Sequence, residues 1–329
     1  MKIKKKILCI TPIKNITEVF DRLNNLFEII YLPNANFDDV LKLDQKLKES
    51  IDIIFTNPNR TKIYLGGDFL DLFNKITVIC TASTGTVHID ENYCKYKNIK
   101  VISLKPVIKL MKDITSTAEL AFTFMMSGIR NLIPSIEDVK KGSWDCEVFI
   151  GRQVNELKIG LIGFGRLGKA FSAYCLAFSG KLVIYDPFVK NFSVNKNLKF
   201  EKSLEKLIRE SDVISIHASV NSTSINLINA SILKFAKSNL LIINTARGEI
   251  VNEKDILSFL IENPEAKYFT DVLSFETEKE KSKLLNSFKA KKLKNQLIIT
   301  PHIGGMSHYS RKRAYNLAVD QLLTFYRYE

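Results

Sequence analysis

The chain has 329 residues, of which 46% are hydrophobic and 25% are charged, and its formal net charge at pH 7 is +13. This composition excludes a disordered or low-complexity chain, and the length is typical of two domains. The longest apolar runs are far shorter than the roughly 18 residues of a transmembrane helix, and the basic start leads only into a short run at 7–11, so we expect a cytoplasmic protein without membrane contact.

The positive charge is carried mainly by lysine. Ten of the 48 basic residues are Arg, which leaves 38 Lys spread along the chain. Dispersed lysines without interleaved aromatic residues are typical of a solvated surface, so nucleic-acid binding is the weaker interpretation of the charge. A positive field would also steer a small anionic substrate. The five cysteines are scattered without a C-x-x-C pair, and we expect no metal site.

In the first third of the chain, short apolar runs alternate with amphipathic stretches, which is the pattern of a parallel α/β sheet. Strands are predicted at 7–11, 27–32, 51–56, 77–82 and 100–103, and helices between them at 37–49 and 67–73. The alternation pauses over 104–116, and a long helical run begins at 117.

A second series of apolar runs follows. Strands are predicted at 158–162, 181–186, 197–200, 213–217, 240–244, 268–271 and 297–300, and an amphipathic helix at 311–327 closes the chain. If the first unit is interrupted by a complete second one, the closing helix returns to the first. We therefore predict an α/β protein with two doubly wound, parallel-sheet (Rossmann-like) domains and a cleft between them.

The strongest local motif is Gly163-x-Gly165-x-x-Gly168, directly after the predicted strand 158–162 and at the start of a helix. In a dinucleotide site these glycines allow a tight turn, close approach of the pyrophosphate, and helix–strand packing. Asp186 stands 23 positions after Gly163 (186 − 163), at the end of the next strand, where a carboxylate can bind the adenosine ribose. The alternative, a purely structural turn, is the weaker interpretation. Because a carboxylate repels a 2′-phosphate, NAD is favoured over NADP.

Three polar residues follow the ends of later strands, where open α/β sheets bind their ligands. Arg247 can bind a carboxylate through two parallel N–H bonds, His302 can exchange a proton near neutral pH, and Glu276 can hold the histidine ring in one tautomer. Taken singly, each has an ordinary alternative as a surface arginine, a structural histidine or a solvated carboxylate.

The chain resembles the D-isomer-specific 2-hydroxyacid dehydrogenases. The segments that carry the resemblance occur in the family's order and are TASTGTVHID (81–90), TAEL (117–120), GSWD (142–145), the glycine motif, NTARG (244–248), DVLSFE (271–276) and TPHIGG (300–305). The formate dehydrogenase branch of the family pairs its histidine with Gln, so Glu276 argues against that branch. Thr277 stands where the family commonly has Pro.

The resemblance implies a discontinuous substrate domain, 1–106 plus 303–329, around an NAD-binding domain, 107–302. It implies that His302 exchanges a proton with the substrate oxygen, that Glu276 supports the imidazolium, and that Arg247 orients the substrate. The implied substrate-binding backbone belongs to Ser83, Thr84, Gly85 and Thr86. The expected cofactor-binding residues are Gly163, Gly165, Arg166, Leu167, Gly168, Asp186, His217, Thr245 and Asp271. A homodimer is also implied.

The substrate is expected to be a small anionic 2-hydroxy or 2-oxo acid. The loop NPNRTK places Arg60 and Lys62 after a strand, and in the resembling phosphoglycerate dehydrogenases basic residues of this loop contact the substrate phosphate. Oxidation of 3-phosphoglycerate, or reduction of phosphohydroxypyruvate, is therefore one prediction. The alternatives are a glyoxylate or hydroxypyruvate reductase, and a non-catalytic NAD-sensing protein on the same fold.

Overall fold

The structure is a computed structural model in which residues 4–58, 63–189, 196–274, 276, 279–293 and 295–327 are described. The predicted phosphate-contacting residues Arg60 and Lys62 lie outside the described residues, as does Thr277.

The described strands are short and largely buried. They are β1 (Lys6–Cys9), β2 (Glu28–Tyr31), β3 (Ile53–Thr56), β4 (Val78–Thr81), β5 (Lys100–Ile102), β6 (Lys158–Ile162), β7 (Lys181–Tyr185), β8 (Leu198–Phe200), β9 (Val213–Ile216), β10 (Leu241–Asn244), β11 (Lys267–Thr270) and β12 (Leu297–Ile299). Most are apolar and rich in β-branched residues, which suits strands covered by helices on both faces.

Helices connect these strands. They are α1 (Thr17–Leu26), α2 (Phe37–Leu41), α3 (Gln45–Lys48), α4 (Gly67–Leu70), α5 (Glu91–Tyr96), α6 (Ser116–Ile129), α7 (Leu132–Val139), α8 (Arg166–Ala177), α9 (Leu204–Glu210), α10 (Ala230–Leu233), α11 (Glu253–Glu262), α12 (Lys283–Lys289) and α13 (His308–Arg327). Short 3-10 turns lie at Ile108–Met111, Glu147–Phe149, Val154–Glu156, Gly248–Ile250 and Lys279–Lys281. Among the described residues, no helix is long and apolar enough to span a bilayer.

The chain divides into two compact units, Met1–Ile114 with Met306–Glu329, and Thr115–Gly305. In the first unit, the described strands form a parallel sheet in the order β2-β1-β3-β4-β5. Helix α13 returns to this unit and packs against α1, where Arg22 donates to Asn316 and pairs with Asp320. Apolar side chains of α13 join the core on one face of the sheet.

In the second unit, the strands form a parallel sheet in the order β12-β11-β10-β9-β6-β7-β8. The chain winds outward in one direction from β6 to β8 and in the other from β9 to β12, so the order reverses between β6 and β9. Ligands of such sheets bind at this reversal, beyond the carboxyl ends of the strands. Two apolar cores cover the two faces of the sheet. The prediction of two doubly wound parallel sheets is confirmed.

Three helix predictions differ from the structure in detail, and the helix predicted at 67–73 is observed only over Gly67–Leu70. The segment predicted as one helix at 37–49 forms α2 and α3, because Asp44 turns out of the helix and caps α3 by accepting from the Leu47 amide at 3.2 Å. The closing helix begins at His308, three residues before the predicted start at 311. Most predicted strand ends extend one or two residues beyond the observed ends, because the predicted ranges include polar residues that follow the paired backbone, such as Asp186, His217 and Asp271.

Candidate active site

The glycine motif forms a tight turn between β6 and α8. Gly163 has φ +93°, and a Cβ there would lie 2.7 Å from the Ala218 nitrogen, so only glycine fits. A Cβ on Gly168 would lie 2.2 Å from the Gly163 oxygen. In contrast, a Cβ on Gly165 would meet no described atom within 4 Å outside its chain neighbours. The turn therefore packs tightly on the protein side and leaves open space at Gly165, beside the N-terminus of α8.

Asp186 holds the neighbouring strand end against this turn. One carboxylate oxygen, Oδ2, accepts from the Phe164 amide at 2.7 Å, and Oδ1 accepts from the Phe188 amide at 2.9 Å. Arg166 and Leu167 begin α8 and are half-buried. A carboxylate has about four acceptor positions, so Asp186 keeps capacity for ribose hydroxyls.

His217 follows β9 on the other side of the reversal, where its Cβ lies against the glycine turn. Its Nε2 lies 2.8 Å from Ser215 Oγ, and its ring packs on Phe171. Burial lowers the pKa of His217 to about 3, so the ring is neutral at physiological pH. Thr245 follows β10, and its buried hydroxyl has no hydrogen-bond partner among the described residues. The open space at Gly165 and this hydroxyl fit a dinucleotide at the sheet reversal.

The loops after β10 and β11 are packed together. Asn244 shapes the first loop, because its side chain accepts from the Ala246 amide at 3.0 Å and donates to the Arg247 carbonyl at 2.9 Å. Gly248 then lies directly on the second loop, where a Cβ would come within 2.0 Å of the Leu273 carbonyl carbon. This contact brings the Arg247 loop against the backbone that leads to Glu276.

His302 and Glu276 form a hydrogen-bonded pair at the ends of adjacent strands. His302 Nδ1 lies 2.7 Å from Glu276 Oε2, and the other carboxylate oxygen accepts from the Leu273 amide at 3.3 Å. The two side chains are 18% and 34% exposed, so solutes can reach the pair. His302 also has φ +55°, a left-handed backbone conformation that costs about 1–3 kcal/mol and requires support from its surroundings.

Asp271 supplies that support. Its Oδ1 accepts from the Ile303 amide at 2.8 Å and from the Thr300 hydroxyl at 2.5 Å, and its Oδ2 accepts from the Gly304 amide at 2.7 Å. Its backbone oxygen accepts from the His302 amide. Burial raises the pKa of Asp271, and these donors oppose that effect. Asp271, a predicted cofactor-binding residue, thus also holds the His302 turn.

Arg247 lies, like His302 and Glu276, within electrostatic range of Glu249. Its Nη1 donates to the Ala246 carbonyl at 2.7 Å, which leaves other guanidinium donors for a ligand. Burial raises the pKa of the nearby Glu249; the charges of Arg247 and His302 oppose this effect, and that of Glu276 adds to it. Glu249 therefore lies within electrostatic range of Arg247, His302 and Glu276.

The predicted substrate-binding residues Ser83, Thr84, Gly85 and Thr86 belong to the first unit and follow β4 directly. Ser83 Oγ donates to the Gly85 carbonyl at 2.5 Å and lies 3.2 Å from Thr81 Oγ1. Thr81 in turn lies 3.1 Å from Nε2 of the buried His88. The turn is therefore ordered by its own hydroxyls.

Sequence reasoning missed the residues that support the site, above all Asn244 and the structural role of Asp271. Asn244 carried a usable signal, since it is the polar end of the otherwise apolar strand LIIN. Asp271 pairs with residues about 30 positions later, so no local pattern indicates its role. In the described part of the chain, no cluster of His, Cys, Asp or Glu is arranged to hold a metal ion.

A glycine turn at the reversal of a doubly wound sheet, with a histidine–carboxylate pair at neighbouring strand ends, defines a dinucleotide-dependent oxidoreductase. Residues 122–304 match the family described as "D-isomer specific 2-hydroxyacid dehydrogenase, NAD binding domain", and the chain belongs to this family. The predicted family, the predicted cofactor NAD and the predicted class of enzyme, an NAD-dependent 2-hydroxyacid dehydrogenase, are confirmed.

Named relatives differ in their substrates. The hydroxypyruvate reductase of Thermotoga maritima is 27% identical over 271 residues, which cover 82% of each chain. The D-3-phosphoglycerate dehydrogenase of Methanocaldococcus jannaschii is 26% identical over 256 residues, which cover 78% of this chain but 46% of that protein. The D-lactate dehydrogenase of Aquifex aeolicus, solved with NAD and lactic acid, has a TM-score of 0.80 at 26% identity and covers 98% of this chain and 96% of its own.

Proposed function

We propose that the chain reduces a short 2-oxo acid to the D-2-hydroxy acid, with His302 as the proton donor. The observation that carries this proposal is the 2.7 Å contact between His302 Nδ1 and Glu276 Oε2. When Nδ1 donates to the carboxylate, Nε2 of the ring is the atom that exchanges a proton with the substrate oxygen. Glu276 supports the imidazolium because its negative charge lies against the ring.

Bound NADH supplies the hydride that the 2-carbon of the substrate accepts. In this direction His302 gives its proton to the carbonyl oxygen, and in the reverse direction neutral His302 takes the hydroxyl proton. The residues proposed to hold NAD are Gly163, Gly165, Arg166, Leu167, Gly168, Asp186, His217, Thr245 and Asp271.

Arg247 is proposed to bind the carboxylate and carbonyl of the substrate. Its loop is fixed on one side by Asn244 and on the other by the contact of Gly248 with Leu273. A fixed guanidinium can make two parallel hydrogen bonds to a carboxylate, which lysine cannot reproduce. In the first unit, the backbone amides of the turn from Ser83 to Thr86 are proposed to bind substrate as a nest of N–H groups.

The substrate class we favour is an unphosphorylated acid such as hydroxypyruvate or glyoxylate. This choice is supported by the Thermotoga maritima hydroxypyruvate reductase, whose match covers 82% of both chains. Phosphohydroxypyruvate is the second candidate, and it depends on the predicted phosphate contact of Arg60, which lies outside the described residues.

A substrate panel tests the proposal. NADH oxidation is followed with hydroxypyruvate, glyoxylate and phosphohydroxypyruvate at equal concentrations. We expect turnover that is fastest with one of the unphosphorylated acids. Preference for phosphohydroxypyruvate would replace the favoured substrate with the second candidate. Tight NADH binding without turnover of any 2-oxo acid would overturn the catalytic proposal and favour an NAD-sensing protein.

We also propose a homodimer formed through an apolar surface on the second unit. None of the residues of α7 is buried, and its Leu132, Ile136 and Val139 are exposed. The following segment exposes Trp144 (90%) and Ile150 (76%). Exposed apolar groups of this size are typical of protein interfaces. Light scattering should give twice the 37.5 kDa of one chain, and a Trp144→Lys, Ile150→Lys double variant should give a monomer. A monomeric wild-type protein would refute the proposal.

A further inference from the structure

Glu253 is a buried carboxylate that the proposed reaction does not use. It is the first residue of α11 and is 7% exposed. Its Oε1 accepts from the Ser274 amide at 3.2 Å and from the Ser282 hydroxyl at 3.0 Å. Its Oε2 accepts from the same hydroxyl at 2.9 Å and from the Leu284 amide at 3.3 Å. Each carboxyl oxygen of Glu253 thus accepts from the Ser282 hydroxyl and from one backbone amide.

These donors lie on both sides of Glu276. Ser274 precedes Glu276 in the chain, whereas Ser282 and Leu284 follow it. Ser282 is fully buried and also caps α12 through the Leu285 amide. The Glu253 side chain thus forms hydrogen bonds with residues on both sides of Glu276. The contact of Gly248 with Leu273 adds a second attachment before Ser274.

We propose that Glu253 is a positioning residue for the reaction and acts through Glu276. By holding both ends of the segment, it keeps Glu276 Oε2 within 2.7 Å of His302 Nδ1. The inference rests on the proposed function, because it matters for catalysis only if the His302–Glu276 pair handles the proton. If Glu253 only stabilised the fold, its substitution would lower the free energy of unfolding and leave the pH profile of the reaction unchanged.

The His302–Glu276 pair links the proposed role of Glu253 to the pH profile of the reaction. Reduction of a 2-oxo acid needs protonated His302, so kcat/KM falls as the pH rises through the midpoint of its profile. If Glu276 spends less time against the ring, the imidazolium is less supported and the midpoint moves to lower pH. The other charged groups that face the pair are Arg247, Glu249 and Asp271, and none of them is altered in this test.

The test compares Glu253→Gln with Asp255→Asn. Both lie in the first turn of α11, but Asp255 accepts from the Ala230 amide, away from Glu276. With the preferred acid of the panel, the profile is measured from about pH 5.5 to 9. In Glu253→Gln we expect the midpoint to fall by about 0.5 pH unit or more and kcat to fall about three- to tenfold. Asp255→Asn should keep the wild-type midpoint.

Two further measurements distinguish a failure of the proposed Glu253 role from a failure of the proposed function. Ser282→Ala removes the hydroxyl that donates to Glu253 and should also move the midpoint to lower pH. This variant tests the inference if Glu253→Gln does not fold. NADH binding, followed by fluorescence titration, should stay within about twofold of wild type in all variants. A wild-type midpoint in folded Glu253→Gln, or in Ser282→Ala if the former is unfolded, would overturn the inference. An inactive wild-type enzyme would instead refute the proposed function.

Discussion

Substitution of two glycines in the same turn should separate cofactor binding from folding. In Gly165→Ala, the added methyl group meets no described atom within 4 Å outside its chain neighbours, and the residue already has φ −75°, which alanine adopts readily. The fold should therefore lose less than about 1 kcal/mol, the scale of replacing a glycine N-cap by alanine. The methyl group instead fills the space through which the pyrophosphate would approach the backbone.

The expected loss of NADH affinity in Gly165→Ala follows from the hydrogen bonds that the methyl group blocks. One charge-assisted bond from a backbone amide to a phosphate contributes about 1.5–3 kcal/mol, so the dissociation constant should rise at least about tenfold.

Gly168→Ala is the matched contrast. Its Cβ would lie 2.2 Å from the Gly163 oxygen, which is 1.2 Å short of the 3.4 Å at which ordinary contact begins (3.4 − 2.2). Because backbone must move, we expect a loss of about 1–3 kcal/mol or more in the free energy of unfolding. Thermal melts and NADH fluorescence titrations measure the two effects. If Gly165→Ala binds NADH as tightly as wild type, the assignment of this turn to the pyrophosphate is refuted. If it melts as early as Gly168→Ala, the open space at Gly165 is refuted.

Three other substitutions test separate parts of the site. Asp186→Ala should weaken NADH binding far more than NADPH binding, because the carboxylate binds ribose hydroxyls and repels a 2′-phosphate; equal losses in titrations would contradict this. Arg247→Lys should lower kcat/KM about 10- to 100-fold through loss of one of two parallel bonds to the carboxylate, and an unchanged value would remove Arg247 from the substrate site. His217 has a pKa lowered to about 3, so the unfolded chain binds a proton below its ordinary value of 6.5 while the folded chain does not. The free energy of unfolding should therefore fall as the pH drops from about 6.5 to 4, and His217→Gln should flatten that dependence in urea titrations; an equally steep fall would contradict a neutral His217.

The sheets could be predicted from the sequence because their strands are buried on both faces. The run predicted at 240–244 is observed as Leu241–Asn244, since an unbroken apolar run is typical of a strand covered on both faces. The helix predicted at 37–49 failed because its apolar spacing continues across Asp44, whose capping preference breaks the helix.

The site could be predicted only in part. Arg247, Glu276 and His302 each follow a strand end, and adjacent strands bring their loops together. The groups that fix those loops could not be predicted, because Asp271 and Glu253 bind residues 21 to 33 positions away. Glu253 is also an ordinary residue for the first turn of a helix, so its sequence context indicates only a helix start.

The central claim is that His302 transfers the proton of the reaction, and the turnover of His302→Asn tests it most directly. Asparagine retains hydrogen-bonding groups but cannot exchange a proton near neutral pH. NADH oxidation with the preferred 2-oxo acid is measured beside NADH binding. We predict that kcat falls about 10²- to 10⁴-fold while the NADH dissociation constant stays within about threefold of wild type. Turnover within about tenfold of wild type would contradict the claim.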